Sequence, residues 1–302
     1  MSASRANPPI SLLVGACLAS GVIADAGALP EPWPAAIVAV ESVPAALRDA
    51  RGSSVLVLDA RDRRDYRDGH IPAAISIDWK DYRAGRFREG RLPENLEVLA
   101  ERLAKIGVHD DHQVLVCGSA RRGWGEEGRI AWMLRYLGHG AVAILDGGCS
   151  AWRDAGRLFS RAGTEPVPGR FTARPREELR ARKADVVGAR SDPMVQILDS
   201  RSLDEFNGAT LYSETRGGRI PGARHLHFLD LMDDAGRVKR GASLDTTLSA
   251  AGILRGKSII AYCVAGVRSA FAVEVLRAAG FDARNYDGSF WEWSADPALP
   301  VK

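Results

Sequence analysis

Val195-Gln196-Ile197-Leu198-Asp199-Ser200-Arg201 is an apolar run that ends in Asp-x-Arg, and it repeats an earlier one, Val55-Leu56-Val57-Leu58-Asp59-Ala60-Arg61. Each reads as a strand buried on both faces, because such strands are continuously apolar rather than alternating. The polar end marks the carboxyl edge of a sheet. Outward from these strands the correspondence continues in the same order. Gly69-His70-Ile71-Pro72-Ala73-Ala74 answers to Gly218-Arg219-Ile220-Pro221-Gly222-Ala223, two turns in which glycine supplies permissive dihedrals and proline fixes φ. Val114-Leu115-Val116-Cys117 matches Ile259-Ile260-Ala261-Tyr262, a further buried strand. A helix follows in each half, over 130–137 and 270–279, and is stopped by Gly138 and Gly280. Last, Asp146-Gly147-Gly148 with Trp152 matches Asp287-Gly288-Ser289 with Trp293 at identical spacing. Strands alternating with helices specify βαβ units, so the expected fold is α/β: two tandem domains, each a mainly parallel sheet flanked by helices.

The chain of 302 residues is long enough for two such domains. An apolar fraction of 46% and a charged fraction of 26% are those of a globular protein. A net charge of +3 carries no signature of nucleic-acid binding, which needs a concentrated basic face. The densest basic stretch, Arg170, Arg174, Arg176, Arg180, Arg182 and Lys183, is interrupted by Pro175, Glu177 and Glu178 and reads as a solvated linker. The expected boundaries are 1–42 for an N-terminal extension or signal peptide, 43–156 for the first domain, 157–185 for the linker and 186–302 for the second domain.

At the N-terminus Arg5 precedes the uncharged run 10–24, which has the length of a signal-peptide core, and Ala24-Asp25-Ala26 is a small-x-small cleavage site. Val14-Gly15-Ala16-Cys17 weakly resembles a lipoprotein cleavage box. Export is the expectation, without a membrane span, since the run is short for one. The four cysteines, Cys17, Cys117, Cys149 and Cys263, show no CxxC spacing, so neither a zinc site nor a disulfide scaffold is expected. His225 and His227 would share a strand face but lack a third ligand, and no Gly-rich phosphate loop follows a strand. No metal or cofactor is therefore expected.

The chemistry concentrates in Cys263-Val264-Ala265-Gly266-Val267-Arg268-Ser269, between the strand 259–262 and a helix beginning near Ser269. A thiol at a strand end that faces a helix N-terminus meets unpaired amide N–H groups and the positive dipole end. Both favour thiolate, and comparable settings bring cysteine pKa from about 8.5 to roughly 3.5–7.5. Gly266 allows the loop to curl into an anion-binding nest, and Arg268 adds a cation.

These motifs carry a resemblance. From residue 43 onward the chain resembles the tandem-domain rhodanese family, which includes thiosulfate and 3-mercaptopyruvate sulfurtransferases. The shared features are Asp-x-Arg, Gly-x-Ile-Pro-x-Ala, the Cys-x-x-Gly-x loop and Asp-Gly-x-x-x-x-Trp. The resemblance implies an inactive first domain and a catalytic second one, with the site at their interface. It implies that Cys263 attacks a sulfane sulfur, becomes a persulfide and passes the outer sulfur to a thiol or cyanide. The amides of Val264, Ala265, Gly266, Val267, Arg268 and Ser269 would hold the persulfide. Arg216 matches the family's second substrate arginine, and Arg219 is placed to supplement it.

Departures from the pattern keep two alternatives open. Val264 and Ala265 are apolar where thiosulfate enzymes of this family carry basic residues. Glu205 stands beside Phe206 where the family has an arginine, and a carboxylate there would repel an anionic donor. Both favour a persulfide carrier that serves a protein partner. A cysteine phosphatase is the weaker alternative, since those related loops place one residue more between cysteine and arginine. In the first half Gly118, not Cys117, falls opposite Cys263, and the following segment with Gly123, Trp124, Gly125, Glu126 and Glu127 is stretched. Cys117 reads as a structural thiol, although Cys117-Gly118-Ser119 resembles the start of a mercaptopyruvate loop. Cys149 reads as packed and inert.

Overall fold

A computed structural model of the chain describes Met1, Trp33 and residues 35–43 and 55–302. The candidate export segment 10–24, with Cys17, lies outside the described residues. In the first half the elements are β1 (Ile37–Val38), β2 (Val55–Asp59), α1 (Arg63–Asp68), β3 (Ile75–Ser76), α2 (Leu96–Lys105), β4 (Gln113–Cys117), α3 (Glu126–Tyr136), β5 (Val142–Leu145) and α4 (Gly148–Asp154). The second half continues with β6 (Arg180–Ala181), α5 (Lys183–Ala189), β7 (Val195–Asp199), α6 (Leu203–Phe206), β8 (Arg224–His225), α7 (Gly241–Ala250), β9 (Ser258–Tyr262), α8 (Arg268–Ala278), β10 (Ala283–Tyr286) and α9 (Ser289–Ala295).

Each half folds into a parallel sheet, in the order β1-β5-β4-β2-β3 and then β6-β10-β9-β7-β8. The register shows the repeat residue by residue: Asp59 pairs with Cys117, and Asp199 with Tyr262. Gly118 is therefore the positional counterpart of Cys263. The Asp-x-Arg motif does the same work twice. Arg61 bonds the Asp59 carboxylate at 2.6 Å and the Gly69 carbonyl at 2.7 Å; Arg201 holds Asp199 and Gly218 at the same two distances. These charge-assisted bonds fasten the Gly-x-Ile-Pro turn to the strand end.

Helix ends follow local chemistry. Asn95 caps α2 by accepting the Glu97 N–H, while Arg102 and Lys105 sit in its last turn against the helix dipole. Helices α3 and α8 are buried almost all round, which places them between layers rather than on the surface. They pack on each other across the two halves. Gly128 makes the close approach possible: a Cβ there would lie 2.4 Å from Phe271 Cα. One core therefore joins both halves, with Leu58 and Val116 from one sheet and Leu198 and Ile259 from the other. The outer face of each sheet carries its own smaller core, around Trp152 and around Trp293.

The linker expected over 157–185 is shorter. Arg180 and Ala181 form β6, and Lys183 begins α5. Nor is Arg180 solvated: it is buried and pairs with Asp287 at 3.1 Å. The reason lies in the Asp-Gly motifs, which lock each half to the other. Asp287 accepts the Leu92 N–H from the first half, and Asp146 accepts the Val238 N–H and the Arg240 guanidinium from the second. Among the described residues, no helix is long and apolar enough to cross a membrane.

Candidate active site

Cys263 lies where β9 gives way to α8, and only 1% of its surface is exposed. Its own N–H donates to Ser289 Oγ, which in turn donates to the Tyr286 carbonyl. Ser289 occupies the left-handed region at φ 53°, where the first half has Gly148 at φ 64°. Strain of this kind on a non-glycine residue concentrates at functional sites. Here it keeps a hydroxyl under the cysteine that glycine could not offer. Gly266, at φ 73°, curls the loop, and a Cβ there would lie 2.6 Å from Asp287 Cα.

Burial pushes the Cys263 thiol up. The Arg268 charge, the Ser269 N–H and hydroxyl and the Ala265 N–H outweigh burial and hold the thiol below its ordinary value. The Ser269 hydroxyl has two acceptors within reach of its one proton, the Cys263 sulfur at 3.6 Å and Asn285 Oδ1 at 2.7 Å. Asn285 also donates to the Gly266 carbonyl, as does Arg129 from the first half. Arg268 is not a free cation. Its two terminal nitrogens bond the Glu205 carboxylate at 2.7 and 2.8 Å, with both residues buried. Glu205, expected to repel an anionic donor, instead matches the cation beside the thiol.

A cavity of about 230 Å³ opens over the thiol between the two halves. The second half contributes Cys263, Val264, Ala265, Val267 and Arg268 together with Tyr212 and Trp291. The first half contributes Trp79, Lys80, Trp124 and Glu126. The aromatic residues were not among the expected site residues. The segment with Gly123, Trp124 and Gly125 was visible in the sequence as a stretched loop, but its destination over the other half's cysteine was not.

Arg216 and Arg219 require correction. Arg216 donates to the carbonyls of Ser294, Leu299 and Asp296, and so fastens the C-terminal segment. Arg219 donates to the Phe206 carbonyl and lies over the Phe206 ring at 4.4 Å. Neither lines the cavity, because the C-terminal segment takes up the Arg216 guanidinium and the end of α6 takes up that of Arg219.

The corresponding place in the first half is chemically opposite. Helices α3 and α8 begin with Glu126-Glu127 and Arg268-Ser269 respectively. A Cβ on Gly118 would fall 2.0 Å from Glu127 Oε2, so the Glu127 carboxyl fills the space a catalytic side chain would need. Burial, with Glu126 and Asp59 nearby, pushes the Glu127 carboxyl up to about 8. Cys117 is not a free thiol: it is bridged to Cys149 with Cα atoms 5.5 Å apart. By register these cysteines stand where Tyr262 and Phe290 stack in the second half.

The model of the rhodanese-like domain matches residues 43–155 and 183–296. A 3-mercaptopyruvate sulfurtransferase of Escherichia coli is 32% identical over 267 residues, 84% of this chain and 90% of the relative. The sulfur carrier protein TtuD of Thermus thermophilus is 29% identical over 250 residues, 78% and 86% of the two chains. Among solved structures, an anaerobic ergothioneine biosynthesis enzyme from Chlorobium limicola superposes with a TM-score of 0.75 at 23% identity. That match covers 84% of this chain and 65% of the other, and it is a likeness of fold.

Proposed function

The chain belongs to the rhodanese-like domain family and is a sulfurtransferase, and on that premise we propose that Cys263 carries the transferred sulfur. The thiolate attacks the outer sulfur of thiosulfate, whose S–S bond breaks to release sulfite, or the thiol sulfur of 3-mercaptopyruvate. In the second case the C–S bond breaks to release the enolate of pyruvate, which takes up a proton. Cys263 then holds a persulfide whose outer atom passes to a thiol or cyanide acceptor.

The observation that carries this reading is the setting of the thiol. Cys263 is the free cysteine among the described residues, held toward thiolate by the Ala265 and Ser269 amides and the Arg268 charge, under a cavity closed by both halves. The loop Val264 to Ser269 supplies preorganised donors, so charge on the persulfide needs no side-chain rearrangement. Gly266 shapes that loop, Val264, Ala265 and Val267 form the cavity floor, and Ser269 steadies the sulfur. The first half contributes walls and no nucleophile, in keeping with Glu127 in the place of a catalytic side chain.

The test is the mass of the intact protein after incubation with thiosulfate or 3-mercaptopyruvate. One added sulfur is expected, removable by cyanide and missing in Cys263→Ser. A gain that persists in that variant would move the carrier role elsewhere.

A second reading, delivery of the sulfur to a protein partner, draws on the apolar Val264-Ala265 pair and on the likeness to a named sulfur carrier. It predicts loading of Cys263 with poor discharge to every small acceptor.

A further inference from the structure

We infer that the small-molecule acceptor of this site is an organic thiol with a flat, apolar body, of the aryl or heteroaryl class, held by the aromatic walls over Cys263. The inference rests on the persulfide reading above and names the substrate class of that same site.

Four large rings surround the cavity: Trp79 and Trp124 from the first half, Tyr212 and Trp291 from the second. Two of the four are pinned. The Trp291 indole N–H donates at 2.9 Å to the Tyr212 carbonyl, and Trp124 stands edge-on to Tyr212 at 5.3 Å between ring centres. Rings fixed in this way present faces and edges at constant spacing, which favours another ring over a flexible chain. Trp124 nevertheless leaves 47% of its surface exposed, at the cavity that Cys263 also lines. Grouped with Trp79, Tyr212 and Trp291 around one cavity, it belongs to an apolar patch of the kind that marks a binding groove. The volume is also adequate. A cavity of about 150 Å³ is enough to bind benzene, and this one measures about 230 Å³.

Charge points the same way. A site built for a small dianion needs cations that are not already matched. Arg268 is matched twice, by the bidentate Glu205 carboxylate and by the faces of Trp124 and Tyr212, at 5.3 and 5.5 Å from its guanidinium carbon. Lys80 lies 3.8 Å from Asp78 and shares the cavity wall with Glu126. The walls therefore offer aromatic rings with little net charge, and discrimination falls to ring contacts and desolvation.

The transfer step balances without an added oxidant. The ionised sulfur of the acceptor attacks the outer sulfur of the Cys263 persulfide. A sulfur–sulfur bond forms in the product as the bond to Cys263 breaks, and its electron pair returns Cys263 to thiolate. The proton lost when the acceptor ionised returns to the product persulfide or to water.

The experiment uses the full-length chain, loaded with sulfur from thiosulfate or 3-mercaptopyruvate, freed of donor and discharged in single turnover by 4-methylthiophenol or by 2-mercaptoethanol. The same two thiols are reacted with cysteine persulfide in free solution, which removes their intrinsic difference in reactivity. The aryl-over-alkyl rate ratio on the protein is expected to exceed the free-solution ratio about tenfold, the equivalent of one stacking interaction at the upper end of its range. Trp124→Leu and Trp291→Leu are expected to return the ratio toward the free-solution value. Equal ratios on the protein and in solution overturn the inference, as does a variant that slows both thiols in the same proportion. Failure of Cys263 to take up sulfur at all would strike the persulfide reading instead, and this inference with it.

Discussion

Two opposing effects act on the Cys263 sulfur: burial disfavours its charge, while Arg268, two amides and the Ser269 hydroxyl favour it and prevail. A folded-state pKa held below the ordinary thiol value means that thiolate persists as pH falls and is lost only on passing through the lowered value. The rate of alkylation by iodoacetamide should therefore rise with pH to a midpoint below that of a free thiol. Ser269→Ala removes one stabilising donor and should move that midpoint upward. A midpoint at the free-thiol value in the native protein would count against the electrostatic account. Glu127 makes the opposite case. Its carboxyl is raised from an ordinary 4.5 to about 8 by burial, then by Glu126 and Asp59, and its Oε2 has no hydrogen-bond partner. Folding then favours the protonated form. That contribution is fully present below 4.5, declines as pH rises and is gone above about 8. Glu127→Gln keeps the shape without the titration, so its stability relative to wild type, measured by urea unfolding, should grow between pH 5 and pH 8. A constant difference over that interval would show that the carboxyl is not perturbed.

Among the elements, the contact of α3 with α8 decides how the cavity walls reach the cysteine. Both helices begin at the site, and Gly128 meets Phe271 where they touch. Gly128→Val would force the helices apart, and overpacking of this kind costs about 1–3 kcal/mol. At about 2–4 °C per kcal/mol for a domain of this size, the melting temperature should fall by several degrees. Sulfur transfer should fall with it, because Trp124 and Glu126 ride on the displaced helix start. An unchanged melting temperature would mean that the helices have room for a side chain between Gly128 and Phe271. The repeated strands also show how one scaffold serves two ends. After β9 the helix opens with Arg268-Ser269, and after β4 with Glu126-Glu127. The same backbone thus presents an arginine paired with Glu205 beside the thiol in one half and a carboxyl raised to about 8 in the other.

For the whole molecule, the shared core and the crossed bonds of Asp146 and Asp287 make the halves one structure. Neither half can lose its inner layer without exposing apolar surface of the other. A single calorimetric transition is expected, coincident with loss of activity in urea, whereas two separated transitions would indicate independent domains. The rigidity would serve the proposed chemistry: a cavity assembled from two halves excludes water around the proposed persulfide only while both stay in place.

The repeated motifs were enough to read the fold class, the duplication, the Asp-x-Arg fastening and the cysteine loop directly from the chain. These rest on local rules, namely strand burial, turn chemistry and a thiol at a helix start, which operate within a few residues of sequence. The destinations of long side chains were not legible. Arg216 left the site for the C-terminal segment and Arg219 for Phe206, Arg180 left a presumed linker for a buried pair, and Glu205 turned out to match Arg268. The four cavity rings and the Cys117–Cys149 bridge were likewise settled by folding. Each depends on which residues distant in sequence arrive within a few ångströms of one another, and only the packing of one half against the other determines that.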